Sequence, residues 1–358
     1  MTNKLKKVLV AVFALCFALV GGAFIGKYLQ TQNKPDTTIK TEKTSKDFTW
    51  GTTVRPYALT DKTHPYQSSD LEQQFKYVRD LFGQNGCVRA NIENDTKVND
   101  DLVNYKEKYE MCLYLILEEI KDFNLDINYE QQADQLAQKI VAKYKGKIEY
   151  YQLANELSGV MVDLSGNNTE TMDAGYGLSI DKNRYENVLH YTRRLSQEIR
   201  RLDPDAKIVI TGHWILINPI LQLIRDGVDA DIVGWNWGSG MSDNPGIMEV
   251  DGYGLVDIPQ IVKDTGKKFW IVEANYDDGS TGEKEQEQAS YIKTIAERAS
   301  FSPNISGYFH FILTDTRETG PGSNLGLVKL NKLSNGSDSF RSTKPAYNVL
   351  KSVAAKSQ

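Results

Sequence analysis

The stretch IEYYQLANELSG, residues 148–159, decides the fold prediction for this chain. It opens with a mostly apolar and aromatic run, which is typical of a buried strand, and the strand is predicted to end at Ala154. Asn155 and Glu156 follow directly, and a loop rich in Gly, Asn and Ser comes next. A carboxylate at the end of a buried strand is costly unless the protein uses it, so Glu156 is a candidate functional residue.

A second strand-end carboxylate lies downstream in the stretch KFWIVEANY, residues 268–276, where Glu273 follows an apolar run. Two glutamates at strand ends are a candidate pair of general acid and nucleophile. The rest of the chain is interpreted as a scaffold that brings Glu156 and Glu273 to one point.

The composition bounds the class of protein. The chain has 358 residues, a formal net charge of -5 and 40% hydrophobic residues, which suffices for a large core in one large domain or two small ones. The mild acidity argues against a nucleic-acid partner, because phosphate binding needs clustered cations. The 19 Tyr and 5 Trp include rings that could stack on sugar faces, although most are expected to fill the core.

The N-terminal segment is predicted to lie outside the folded domain. Residues 8–26 form an uncharged apolar run after three lysines, long enough to span a bilayer or to form the core of a signal peptide. Residues 1–26 are therefore interpreted as a signal peptide or signal anchor, and residues 27–46 as a disordered linker. By the positive-inside rule the domain is predicted to be secreted or membrane-anchored outside the cytoplasm, with membrane contact only through this segment.

Cys87 and Cys112 are the cysteines outside the apolar run, and both lie in predicted strands. An exported protein could pair them, but buried free thiols on neighbouring strands are the favoured prediction. The four His residues form no HExxH motif, and no paired CxxC motifs are present. Neither a metal nor a cofactor is therefore predicted.

Eight predicted strands alternate with eight predicted helices over residues 47–358. The strands are 48–54, 87–92, 111–117, 148–153, 207–213, 232–237, 269–273 and 305–313. The first helix opens with a capping box at Ser69 and Glu72, and the others are 101–108, 130–144, 183–202, 219–225, 258–265, 283–299 and 345–353. This alternation predicts parallel strands with helical crossovers, and the lack of a Gly-rich turn after strand one argues against a dinucleotide-binding sheet. We therefore predict an α/β fold, a (β/α)8 TIM barrel, with Glu156 and Glu273 ending strands four and seven.

The ordered set of motifs resembles the clan A glycoside hydrolases, which are retaining enzymes built on this barrel. Asn155-Glu156 matches the acid/base motif of that clan after strand four, and Ile271-Val272-Glu273 matches its nucleophile motif on strand seven. Arg89 on strand two resembles the arginine that lies under the nucleophile. The resemblance covers residues 47–358 and includes the runs LGLV and KPAY after strand eight.

Two features depart from the clan pattern. Leu157 stands where the clan often has Pro, and strand eight offers His310 and Phe311 where many members have Trp. Both departures leave the exact family open, and hence the sugar.

The resemblance implies a retaining glycoside hydrolase that cleaves a β-linked oligo- or polysaccharide, with Glu156 as acid/base and Glu273 as nucleophile. This mechanism requires a protonated Glu156 and an ionised Glu273. The positive charge of Arg89 would keep Glu273 ionised. The protein is predicted to be a monomer. The alternative is a barrel that binds glycan at the cell surface without hydrolysing it.

Further side chains near the predicted strand ends are candidate sugar contacts, because barrel active sites lie at the C-terminal ends of the strands. They are Arg89, Asn155, His213, Trp214, Trp235, Trp237, Tyr276 and His310. Packing is the alternative for the aromatic side chains, and a structural ion pair is the alternative for Arg89. Competing strand-end acids are Glu118, Glu119, Asp277, Asp278 and Asp315.

Overall fold

The computed structural model of the chain describes residues 48–59, 65–117, 120, 122–123, 125–162, 170–276, 279–316, 323–332 and 338–357. The predicted N-terminal segment and linker lie outside the described residues, as do the competing acids Glu118, Glu119, Asp277 and Asp278. Within the described parts of the chain, no helix combines the length and the apolar character that crossing a membrane requires.

Eight parallel strands form a closed barrel, which confirms the predicted architecture. They are β1 (Thr49–Thr53), β2 (Cys87–Asn91), β3 (Cys112–Ile116), β4 (Tyr150–Gln152), β5 (Lys207–His213), β6 (Ile232–Gly238), β7 (Lys268–Asn275) and β8 (Gly307–His310). Neighbours in the chain are neighbours in the barrel, and β8 pairs with β1 to close it. All C-terminal strand ends therefore meet at one mouth, where barrel active sites lie.

One helix follows each strand on the outside of the barrel. The helices are α1 (Ser68–Phe82), α2 (Thr96–Tyr109), α3 (Tyr129–Leu136), α4 (Lys182–Leu202), α5 (Ile217–Arg225), α6 (Ile258–Lys263), α7 (Lys284–Phe301) and α8 (Pro345–Ser357). A π-helical turn, Ala137–Val141, extends α3. The predicted capping box at Ser69 is wrong, because α1 begins at Ser68 and Gln67 occupies the N-cap without a side-chain hydrogen bond.

The sequence pattern missed three hairpins and a short helix, Leu157–Met161, in the loops that leave the strand ends. The hairpins pair Thr171–Gly175 with Leu178–Asp181, Ile247–Val250 with Gly254–Asp257, and Val328–Lys332 with Asp338–Thr343. They lie in the connections after β4, β6 and β8, which are loops of the C-terminal face. The barrel is therefore elaborated on the side of the mouth.

Two layers of different character fill the barrel interior. The lower layer is apolar and aromatic, and it consists of Cys87, Tyr114, Val209, Ile232, Trp270, Val272 and Phe309. Gly51 on β1 makes room for it, since a Cβ there would collide with the Phe309 ring. The layer next to the mouth is polar, with side chains from β2, β4, β5 and β7 that hydrogen-bond one another, and with Asn236 on β6, which donates to Glu156 beyond β4.

Cys87 and Cys112 form a disulfide, so the prediction of free thiols is wrong. The two residues are direct partners in the register of β2 and β3, and their Cα atoms are 4.5 Å apart. This separation lies within the range that a disulfide bridges, about 4.4–6.8 Å. Both side chains turn into the barrel, where Cys87 is fully buried and Cys112 is partly buried.

Candidate active site

Arg89 is the centre of the polar layer at the mouth. Alternation along β2 turns Cys87 and Arg89 to the same face, into the barrel, and Arg89 is fully buried. Its Nη1 donates to Glu273 Oε1 at 2.7 Å, while Nε and Nη2 donate to Gln152 Oε1 at 3.2 and 2.9 Å. Nη2 also reaches Asn155 Oδ1 at 3.1 Å. The planar guanidinium thus orients side chains from β4, from the turn that follows it and from β7 around one cation.

A β-bulge turns Glu273 into the mouth. Trp270 and Val272 face the interior and Ile271 faces the helices, so strict alternation would turn Glu273 outward. The register between β7 and β6 shifts after Ile271, and Glu273 becomes the partner of Asn236 on the inward side. Bulges commonly re-aim a side chain next to an active site, and this one places a carboxylate beside Arg89.

Two opposing effects set the charge of Glu273, whose residue is 9% exposed. Burial raises the pKa of the Glu273 carboxyl, the Arg89 guanidinium opposes that rise, and the Glu156 carboxylate adds to it. Arg89 lowers the pKa of Glu273, but burial outweighs this effect and the pKa is raised overall. Because arginine keeps its proton and a buried cation without a counter-charge is costly, the ion pair favours the carboxylate form.

Glu156 lies past the end of β4 in a left-handed backbone conformation, with φ of 48° and ψ of 42°. Thr211 on β5 holds this turn, since its Oγ1 accepts from the Glu156 N–H at 3.1 Å and donates to the Ala154 carbonyl at 3.0 Å. The Asn236 amide donates to Glu156 Oε1 at 2.8 Å. A non-glycine residue with positive φ is held by its surroundings, and such strain is frequent at functional sites.

Asn236 connects the two glutamates. It hydrogen-bonds the Glu156 carboxylate and is the register partner of Glu273 on the neighbouring strand. The charge of Glu156 is close enough to raise the pKa of Glu273. The structure therefore brings the two predicted carboxylates to the same part of the mouth.

Asn155 presents its amide nitrogen to the pocket. Its Oδ1 accepts from Arg89 Nη2 and from Gln152 Nε2, at 3.1 and 2.9 Å. Within the described residues Nδ2 has no acceptor, and Asn155 lines the pocket beside Glu273. An oriented donor of this kind can bind a sugar hydroxyl, as predicted for Asn155.

The pocket at the mouth has a volume of about 460 Å³. Its lining includes Arg55, Tyr57 and Glu93 from the loops after β1 and β2, together with Glu273 and Phe311. A larger cavity of about 1400 Å³ lies at the opposite end of the barrel, among residues that begin strands, such as Thr49, Lys207 and Lys268. We assign the site to the smaller pocket because the ion pair of Arg89 and Glu273 lines it, at the C-terminal ends of the strands.

Trp235, Trp237 and His310 are predicted sugar contacts that lie away from this pocket. Trp235 and Trp237 are 0% and 1% exposed and pack in the outer core, where their indole N–H groups donate to the Trp214 and Ser242 carbonyls. His310 is fully buried beside the Leu325 carbonyl, and burial lowers its pKa to about 3. Their placement matches the packing alternative.

His213, Trp214 and Tyr276 are nearer the mouth. His213 ends β5 and packs over Gly159, in the short helix that follows Glu156. Trp214 has a φ of 53°. The residue is 41% exposed, so its ring is accessible from solvent. The Tyr276 hydroxyl donates to Glu287 on α7 at 2.7 Å, which directs it toward the outer helices.

Some residues of the site were not predicted. Gln152, Thr211 and Asn236 orient the predicted residues, and Arg55 and Phe311 line the pocket. A polar residue in an otherwise apolar strand was the available signal for Gln152 and Thr211, because each alternates onto the interior face. For Phe311, the available signal was its position on strand eight, where many clan members have Trp.

Solved structures share this fold over most of the chain. Xylanase 10B from Thermotoga maritima has a TM-score of 0.57 at 16% identity, covering 87% of this chain and 95% of that one. The β-glucosidase from Thermotoga maritima in complex with deoxynojirimycin has a TM-score of 0.62 at 14% identity, covering 88% and 99%. The chain shares its fold with barrel glycosidases. This likeness confirms the resemblance to clan A at the level of the fold.

The xylanase 10B from Thermotoga petrophila RKU-1 in complex with xylobiose is similar to the same degree, with a TM-score of 0.58 at 15% identity over 87% of this chain and 94% of that one. No protein-family model matches the sequence, and no curated protein matches it either. At these identities the likeness establishes the fold alone, so the chemistry must be inferred from the site.

Proposed function

We propose that this protein is a retaining glycoside hydrolase that cleaves a β-linked glycan, with Glu273 as nucleophile and Glu156 as acid/base. The observation that carries the proposal is the Arg89–Glu273 ion pair of 2.7 Å at the end of β7, linked through Asn236 to Glu156 beyond β4. Two carboxyl groups with different environments are what glycoside hydrolysis requires. The similar solved structures, of xylanases and a β-glucosidase, support a β-linked carbohydrate substrate.

Glu273 would attack the anomeric carbon while Glu156 protonates the leaving oxygen. The glycosyl-enzyme ester that forms on Glu273 is then hydrolysed by a water that Glu156 deprotonates, which retains the anomeric configuration. Arg89 keeps Glu273 ionised for the attack. Asn236 donates to Oε1 of Glu156, so the proton for the leaving group is carried on the other oxygen of that carboxyl.

The pocket supplies binding groups of the kinds that a sugar ring needs. The Asn155 amide donates to a hydroxyl beside the scissile bond, and the Phe311 ring offers an apolar face. The pocket volume of about 460 Å³ lies in the range of small-molecule sites, roughly 300–1,000 Å³. Trp214 remains a proposed contact for the leaving-group side, because its ring is exposed at the end of β5.

We also propose that the catalytic domain acts outside the cytoplasm as a monomer, secreted or anchored through its N-terminal segment. The Cys87–Cys112 disulfide supports this localisation, because disulfides persist mainly in oxidising compartments.

Covalent trapping tests the proposal. A deoxyfluoro β-glycoside with a good leaving group should inactivate the enzyme and add one glycosyl group to the peptide that contains Glu273, as measured by mass spectrometry. The Glu273→Gln variant is the matched control and should not be labelled. Binding of glycan without turnover and without trapping would instead support the non-catalytic alternative, and a first product of inverted configuration by NMR would contradict the retaining mechanism.

A further inference from the structure

Arg55 is a charged side chain of the pocket that the proposed mechanism does not use. It follows β1, is half-buried, and lines the pocket with Glu273 and Phe311. Its guanidinium carbon lies 6.0 Å from the centroid of the Phe311 ring. No described carboxylate forms an ion pair with Arg55. The charge of Arg55 lowers the pKa of Glu273, but the ion-pair partner of Glu273 is Arg89.

The two arginines of the pocket differ in how their donors are used. Arg89 directs its guanidinium to Thr53, Gln152, Asn155 and Glu273. Arg55 is held instead by its backbone, since the buried Gln74 side chain accepts from its N–H at 3.0 Å and donates to its carbonyl at 2.7 Å. This clamp positions Arg55 and leaves its side-chain donors for a ligand in the pocket.

The pocket lies on the glycone side of the site. Glu273 lines it and Glu156, among the described residues, does not. The nucleophile forms its bond with the anomeric carbon of the glycone, whereas the acid protonates the leaving oxygen beyond it. A sugar in this pocket is therefore the glycone, and Arg55 faces that sugar.

We propose that the glycone carries an anionic group, a carboxylate or a sulfate ester, that pairs with Arg55. The inference rests on the proposed function and specifies its substrate class, a β-linked glycan with an acidic sugar such as a uronic acid. The guanidinium fork matches the planar carboxylate in a bidentate geometry. A half-buried cation that has no ion-pair partner among the described residues is stabilised when the ligand supplies one.

Glu93 gives this recognition a direction. It lines the same pocket, and its backbone N–H and carbonyl are held by the Asn99 side chain at 2.9 and 2.7 Å. Tyr57 also lines the pocket, and its pKa is raised mainly by burial and then by the charge of the Glu93 carboxylate. An anion is therefore attracted to the Arg55 side of the pocket rather than to the side lined by Glu93, so the pocket favours one orientation of an acidic sugar.

Matched substrate pairs test this specificity. We would measure kcat/KM for para-nitrophenyl β-glucuronide against β-glucoside, for β-galacturonide against β-galactoside, and for β-galactoside sulfated at its primary hydroxyl. The wild type should prefer the anionic member of at least one pair, and Arg55→Met should lower that preference about 10- to 100-fold, since hydrogen bonds to charged groups contribute on that scale. Arg55→Lys should recover part of the preference. Arg225→Met, an exposed arginine on α5 that bonds Gln222, is the matched control and should keep it.

The outcomes separate this inference from the proposed function. A preference for the sulfated galactoside over both uronides would identify the anion as sulfate rather than carboxylate. A second outcome is that neutral glycosides are cleaved with retention of configuration and that Arg55→Met lowers kcat/KM equally for both members of each pair. This outcome would overturn the inference and leave the proposed function standing. If no glycoside is cleaved, but calorimetry shows that glucuronate or galacturonate binds in an Arg55-dependent way, the inference stands and the function fails. Absence of both turnover and such binding would overturn both.

Discussion

The ends of β4 and β7 each present a glutamate to the mouth, but they hold it in different ways. Glu156 lies in an irregular left-handed turn, and its carboxylate accepts a hydrogen bond from a neutral amide, that of Asn236. Glu273 lies within a bulged strand and is paired with the buried cation Arg89. The neighbouring cation favours the charged form of the Glu273 carboxyl, and the hydrogen-bond partner of Glu156 carries no charge. We propose that these environments divide the roles of acid/base and nucleophile between chemically identical side chains.

Removal of the proposed nucleophile should have the largest effect. Glu273→Ala should lower kcat roughly 10⁴-fold or more on all substrates, because no glycosyl-enzyme can form without it. Added azide should restore turnover and give an α-glycosyl azide, measured by NMR. Glu297→Ala, which removes an exposed partner of Lys293 on α7, is the control and should retain activity.

Removal of the proposed acid/base should have an effect that depends on the leaving group. Glu156→Ala should lower kcat/KM about 10²- to 10⁴-fold for poor leaving groups, the usual contribution of general acid catalysis, and far less for dinitrophenyl glycosides. The covalent intermediate should then accumulate, and azide should release it as a β-glycosyl azide. If this variant gives the α product and Glu273→Ala the β product, the two roles are exchanged.

Removal of the cation should have the smallest effect on turnover and should shift its pH dependence. Arg89 lowers the pKa of Glu273, so Arg89→Met should raise that pKa and move the acid limb of kcat/KM to higher pH, since protonated Glu273 cannot attack. Arg89→Lys keeps the charge and should show a smaller shift. Urea unfolding should also show a loss of about 3–5 kcal/mol for Arg89→Met, as expected when one partner of a buried pair is removed. An unchanged acid limb in folded Arg89→Met would contradict the assigned role of Arg89.

Much of the barrel could be predicted from the sequence, because its strands and helices have clear local patterns. The strand predicted at 207–213 has the bounds observed for β5, Lys207–His213. The position of Arg89 on the interior face follows from alternation along β2. The hairpins after β4, β6 and β8 escaped prediction, since short exposed strands such as Thr171–Gly175 lack a hydrophobic period.

By itself, the sequence determined the order of strands and helices and the two strand-end positions at which carboxylates occur, because periodicity and chain order are local properties. The tertiary structure alone decided which side chains share the mouth. A bulge after Ile271 turns Glu273 inward, direct register joins Cys87 to Cys112, and outward pleating buries Trp235 in the outer core. These outcomes depend on how neighbouring strands pair, and a one-residue change in that pairing reverses the face on which a side chain lies.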